Sequence, residues 1–113
     1  MKPKFSTFND GVLYICDSTK ADTTFGAVQN VTAASELNRL YKLDFAEMSK
    51  RDQDMDFAES QGHALSLKVK TRLISISKMN KVLIENRLYT IIHLDEDRKN
   101  GLMYLYLEEE RQF

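Results

Sequence analysis

Residues 64–72, ALSLKVKTR, decide the fold class. Leu65, Leu67, Val69 and Thr71 fall on one face and Ser66, Lys68, Lys70 and Arg72 on the other, the period of two that a half-buried antiparallel strand requires. Three more short apolar segments follow at 81–86, 88–94 and 102–108, each bounded by polar turn residues such as Glu85, Asn86 and Arg87. Toward the N-terminus, residues 39–48 carry Tyr41, Leu43 and Phe45 on one face. Residues 11–17 form a further apolar strand, entered through the turn-forming Asn9, Asp10 and Gly11. The expectation is an all-β chain, a small antiparallel barrel or sandwich, with a long and partly helical connection between its second and third main strands.

The 113 residues suit one domain, residues 1–113, that buries roughly two-thirds of the surface its unfolded chain exposes. The single cysteine, Cys16, has no partner for an internal disulfide, so a reducing compartment is expected. Its apolar strand context suits a buried inert thiol rather than a nucleophile. No apolar run approaches the ~18–20 residues needed to span a bilayer, and no hydrophobic stretch follows Lys2 and Lys4, so neither a membrane partner nor a secretory signal is expected.

Charge is balanced overall, 16 Lys and Arg against 17 Asp and Glu, but it is segregated along the chain. Asp44, Glu47, Asp52, Asp54, Asp56 and Glu59 are opposed locally only by Lys50 and Arg51. Residues 64–84 then carry Lys68, Lys70, Arg72, Lys78 and Lys81 with no acid. Faces of opposite sign favour head-to-tail association between copies, while the plainer reading is two solvated surfaces.

The segment 49–62 breaks the strand pattern. Ser49 and Asp52 give a Ser-x-x-Asp start, close to a capping box, and Gly62 suits a helix end. Met55, Ala58 and Glu59 supply only a thin stripe, so the segment is expected to bury little and to be mobile in a free subunit. The weak helical signal at 31–38 and the polar loop at 18–30 complete the chain. Asp52, Asp54 and Asp56 have the one-three-five spacing of a calcium loop, but Phe57 occupies the glycine position and His63 the bidentate glutamate position. A solvated acidic segment is the better reading. His63 and His93 lack companions at metal-ligand spacing, so no metal and no cofactor is expected. Neither a nucleophile elbow nor a Gly-rich phosphate loop is present, which points away from an enzyme.

The basic face of Lys68, Lys70 and Arg72 suits a nucleic-acid backbone, as in oligonucleotide-binding barrels. Such sites add exposed aromatics. Here Tyr104 and Tyr106 alternate with Met103, Leu105 and Leu107, a strand apolar on both faces and therefore expected to be buried.

The order of these pieces resembles the head-tail connector proteins of tailed bacteriophages, also called head-closure or stopper proteins, above all those of phages and prophages of Gram-positive bacteria. The resemblance lies in the aromatic near the start of the long strand (Leu40, Tyr41), the polar connection at 47–61, and the basic alternating strand at 67–72. It continues in the two-strand unit of residues 82–84 and 88–91 and in the closing strand at 102–107. The chain lacks the tryptophan frequent in the second strand of that family, with Tyr41 in its place.

The resemblance implies a structural virion protein at the head-tail interface, assembled in the host cytoplasm. Its partners are then the portal or adaptor ring, the tail proteins, and further copies of itself in a homo-oligomeric ring. Phage double-stranded DNA passes through the channel without sequence-specific binding. In stopper-type members the long connection projects toward that channel, which here assigns Asp52, Asp54, Met55, Asp56, Phe57 and Glu59 to a gating connection and Lys68, Lys70 and Arg72 to subunit contacts. A small oligonucleotide-binding barrel and a bare structural domain are the alternatives.

Overall fold

The computed structural model describes residues 8–20 and 37–113. Strands β1 (Gly11–Lys20), β2 (Leu37–Met48), β3 (Leu67–Arg72), β4 (Lys81–Ile84), β5 (Arg87–Asp97) and β6 (Leu102–Gln112) are joined by one helix, α1 (Asp52–Ser60), between β2 and β3. The strands close into an antiparallel barrel in the order β1-β2-β3-β6-β5-β4. Two three-stranded meanders, β1-β2-β3 and β4-β5-β6, are sealed along two seams, β3 against β6 and β1 against β4. The expected all-β architecture is thus a closed barrel, and the expected partly helical connection is α1.

Alternation fills the interior. Leu13 and Ile15 of β1, Phe45 of β2, Val69 of β3, Val82 of β4, Tyr89 and Ile91 of β5, and Met103, Leu105 and Leu107 of β6 make one buried cluster. Leu73, Ile74 and Ile76, from the segment after β3, pack against the same cluster. Thr71 is fully buried among these side chains, and its hydroxyl donates to the Asp44 carbonyl at 2.9 Å, which satisfies it. A second cluster of Cys16, Leu37, Leu83 and Leu88, with Tyr14 and Phe113 against it, lies on the other face of β1, β4 and β5. Burial there pushes the Cys16 thiol up to about 11, against the lowering charge of Arg39, as suits an inert packing group.

Several element boundaries differ from the sequence reading. Regular β3 begins at Leu67 rather than at residue 64, because Ala64 donates its N–H to the Glu108 carboxylate at 2.8 Å instead of joining a ladder. β5 runs on to Asp97, past the last apolar residue of its pattern. Asp95, Glu96 and Asp97 pair with Tyr104, Met103 and Leu102, since backbone pairing in a hairpin continues without an apolar face. Leu37 and Asn38 open β2 instead of closing a helical turn, and Ser18–Lys20 finish β1 instead of beginning a loop. The remainder of those two expectations, 21–36, lies outside the described residues.

Leu105→Ala removes a fully buried side chain from the barrel centre. It is expected to cost about 2–5 kcal/mol of unfolding free energy in urea titration, against about 0.5 kcal/mol or less for exposed Leu40→Ala.

Candidate functional site

Helix α1 lies on the outside of the barrel, over β3, β6 and β5, and organises the most distinctive part of the surface. Its start is built by Arg51 and Asp54. The Asp54 carboxylate accepts the Arg51 backbone N–H at 3.1 Å, closing a capping box two residues later than Ser49 and Asp52 suggest. Asp52 and Asp54 in the first turn also suit the positive end of the helix dipole. At the other end, His63 N–H reaches the Ala58 carbonyl and Gly62 N–H the Glu59 carbonyl, with Gly62 at φ 78. This is a Schellman stop, which needs the left-handed conformation that glycine adopts freely. Gly62 therefore ends the helix as its sequence position suggests.

A β-bulge prepares the barrel surface beneath. Ile91 pairs with Leu107 and His93 with Tyr106, so Ile92 is an extra residue in β5. The register shift lets neighbouring residues Ile92 and His93 both serve the helix. Ala58 packs against Ile92 and Tyr106, while the rings of Phe57 and Tyr106 each meet His93 edge-on at 5.2 Å.

Lys68 leaves β3 beneath this roof. Its ammonium lies 3.1 Å from the Asp54 carboxylate and 5.0 Å from the centre of the Tyr106 ring. Both ends of the pair are buried, Lys68 at 5% and Asp54 at 6% exposure. Burial alone would raise the Asp54 pKa. The Arg51 backbone N–H and the Lys68 ammonium outweigh it and hold the carboxyl below its ordinary value.

This geometry corrects the expected roles of two residues. Lys68 does not stand with Lys70 and Arg72 as a free cation, and Asp54 does not face outward with the other acids of the connection. They neutralise each other inside the subunit. Residues 49–62 accordingly bury more than their thin stripe suggests, through Asp54 and Ala58. Asp52, Met55, Asp56, Phe57 and Glu59 remain exposed, with the three acids together on the outer side of α1 and the Phe57 ring turned toward His93. Helical spacing thus separates Asp54 from Asp52 and Asp56, and the three do not converge. Among the described residues, no group of three or more His, Cys, Asp or Glu is placed to hold a metal ion.

Lys70 is half-buried, with its ammonium 6.0 Å from the centre of the Phe8 ring, and Arg72 is exposed. Arg72 borders a cavity of about 90 Å³ shared with Phe8, Lys42, Leu43 and Asp44. A larger open cleft of about 360 Å³ runs beside the start of α1, between Met48, Ser49, Arg51, Lys68, Asp95, Tyr104 and Tyr106. Tyr106 is buried and Tyr104 half-buried, as a strand apolar on both faces predicts. His63 and His93 have separate surroundings. His63 Nδ1 lies 2.9 Å from Glu108. The Ala64 N–H, followed by His63, holds the Glu108 carboxyl below its ordinary value.

Lys68→Met strands a buried carboxylate and is expected to destabilise the protein by about 3–5 kcal/mol. Combining it with Asp54→Asn, which keeps an acceptor for the Arg51 N–H, should recover most of that loss in denaturant titrations. Equal losses in the single and double variants would deny the pair its role. Asp54 and Glu108 both have lowered folded-state pKa values, so the stability they confer is present above their ordinary values, about 4 for Asp and 4.5 for Glu, and is lost as pH falls through the folded-state values. The unfolding free energy of the wild type should therefore drop more steeply below pH 4 than that of the double variant.

Comparison with known proteins finds no matching family model and no matching curated sequence.

Proposed function

We propose that this chain is a structural part of a tailed-phage particle, joining the head, through its portal or adaptor ring, to the tail. The observation that carries the reading is the build of the connection between β2 and β3. It is a capped helix fastened to the outside of a closed barrel, presenting Met55 and Phe57 among Asp52, Asp56 and Glu59. Exposed apolar side chains ringed by charge suit an assembly surface. The sequence resemblance to head-closure proteins supplies the biological setting. In that setting the barrel is the rigid body of a ring subunit and α1 is the segment nearest the DNA channel.

The oligonucleotide-binding alternative draws less support. One of its three cations, Lys68, lies under α1, and Tyr106, its nearest aromatic, is covered. Oligonucleotide binding no tighter than ~10⁻⁴ M at physiological salt is expected, the range of non-specific association. Low-micromolar binding abolished by Lys70→Ala with Arg72→Ala would move the assignment to that alternative.

The direct test is genetic. Deleting the coding sequence from a phage or prophage that carries it should give separate heads and tails with no joined particles by electron microscopy. Adding the purified protein to those lysates should restore joining. Normal infectious particles from the deletion would exclude the role.

A further inference from the structure

Among the described residues, the exposed large apolar side chains are Leu40, Tyr41, Met55, Phe57 and Met79. Their charged flanks differ in sign. Met55 and Phe57, at 37% and 42% exposure, lie on α1 with Asp52, Asp56 and Glu59. None of these three acids makes an ion pair among the described residues. Leu40 and Tyr41, at 44% and 47%, are bracketed on β2 by Arg39 and Lys42. Lys42 is paired in register with Tyr14, and the Arg39 guanidinium lies 4.5 Å from the centre of the same ring, which puts both cations on the outer side of the barrel. Lys42 also borders the cavity of about 90 Å³ that Arg72 lines. Asp44 is the one acid on that cavity, so the surface stays net positive.

We propose that α1 of one copy docks on the Arg39, Lys42 and Arg72 surface of a second copy, head to tail. The contact sets three acids against three cations and covers Met55, which lies beside those acids on α1. Other pairings satisfy less. Two α1 helices facing each other would oppose like charges. Duplex DNA on the basic surface would leave Met55 uncovered and the three acids without cations. Because the two patches lie on different elements, the contact is heterologous, and each copy keeps one unused half of it at each end. Such a contact closes into a ring or runs on as a string. This supplies the subunit contact for the connector reading and rests on that reading for the ring, though not for the contact itself.

The test uses exposed substitutions, so that folding is kept, with circular dichroism as the check. The acidic-side variant is Asp56→Lys with Glu59→Lys, which leaves Asp52 in the first helical turn. The basic-side variant is Lys42→Glu with Arg72→Glu. In sedimentation experiments from micromolar to millimolar protein, the wild type should gain mass with concentration and return to monomer as salt screens the charges. Each variant alone should stay monomeric. Their equimolar mixture should regain association, because each then offers the other a complementary surface.

A wild type that stays monomeric throughout, a single variant that associates like the wild type, or a mixture that stays monomeric overturns the proposal. So does micromolar capture of duplex DNA that competes with association and is lost in the basic-side variant. Association that ignores these charges refutes this pairing but leaves the connector reading standing. Normal particles from the gene deletion, with association behaving as expected, refute the connector reading but leave the contact.

Discussion

Strand β6 carries large side chains on both of its faces, and covering both at once shapes the molecule. Met103, Leu105 and Leu107 point into the barrel, while Tyr104 and Tyr106 point outward. The inward set is covered by closing the sheet on itself. The outward set requires something laid over the barrel, and the only helix among the described residues is delivered there by the connection between β2 and β3. Once α1 lies over Tyr106, Lys68 on the adjacent strand is covered with it. A buried ammonium needs an anion, and Asp54 supplies one.

That ion pair is better regarded as a registration device than as a source of net stability. Desolvating two charges offsets most of their attraction, so an apolar pair of similar volume would serve as well energetically. What it adds is position. Asp54 accepts the N–H of the N-cap residue Arg51 and the Lys68 ammonium together, so a helix rotated by one residue would strand both donors. A nine-residue helix is too short to be held by propensity. Its caps and this single buried contact fix which side faces outward, and hence which acids remain free.

Much of the architecture was legible from periodicity. The alternation over residues 64–72, the short apolar runs after it and the two-faced character of β6 each correspond to the strands observed. Gly62 marked the end of the helix. Other features left no trace in the pattern. Alternation assigns Lys68 to the face opposite Val69 but does not say whether water or a helix covers that face. A lysine on that face reads as solvent-exposed, although its neighbour across the ladder, Tyr106, belongs to a strand whose two apolar faces imply burial. The bulge at Ile92 and His93 breaks a period of two by one residue, which in a run as apolar as LYTIIHL is invisible. Residue identity points to a helix start two residues too early, at Ser49, because Arg51 caps through its backbone N–H, a role that its side chain does not advertise.

The two seams of the barrel also bear on how the chain reaches its native state. Neither meander can close alone. β1-β2-β3 has free edges at β1 and β3, and β4-β5-β6 has free edges at β4 and β6, until each half mates with the other. The β3–β6 seam joins residues such as Leu67 and Leu107, which are far apart in sequence. Such long-range pairing slows folding, because the loop must close before the contact rewards it. A nascent chain that ends before β6 exposes unpaired edges of apolar strands, the surface most prone to aggregation. Losing β6 should thus be far more harmful than its 11 residues suggest, since it opens the β3–β6 seam and the β5–β6 ladder together.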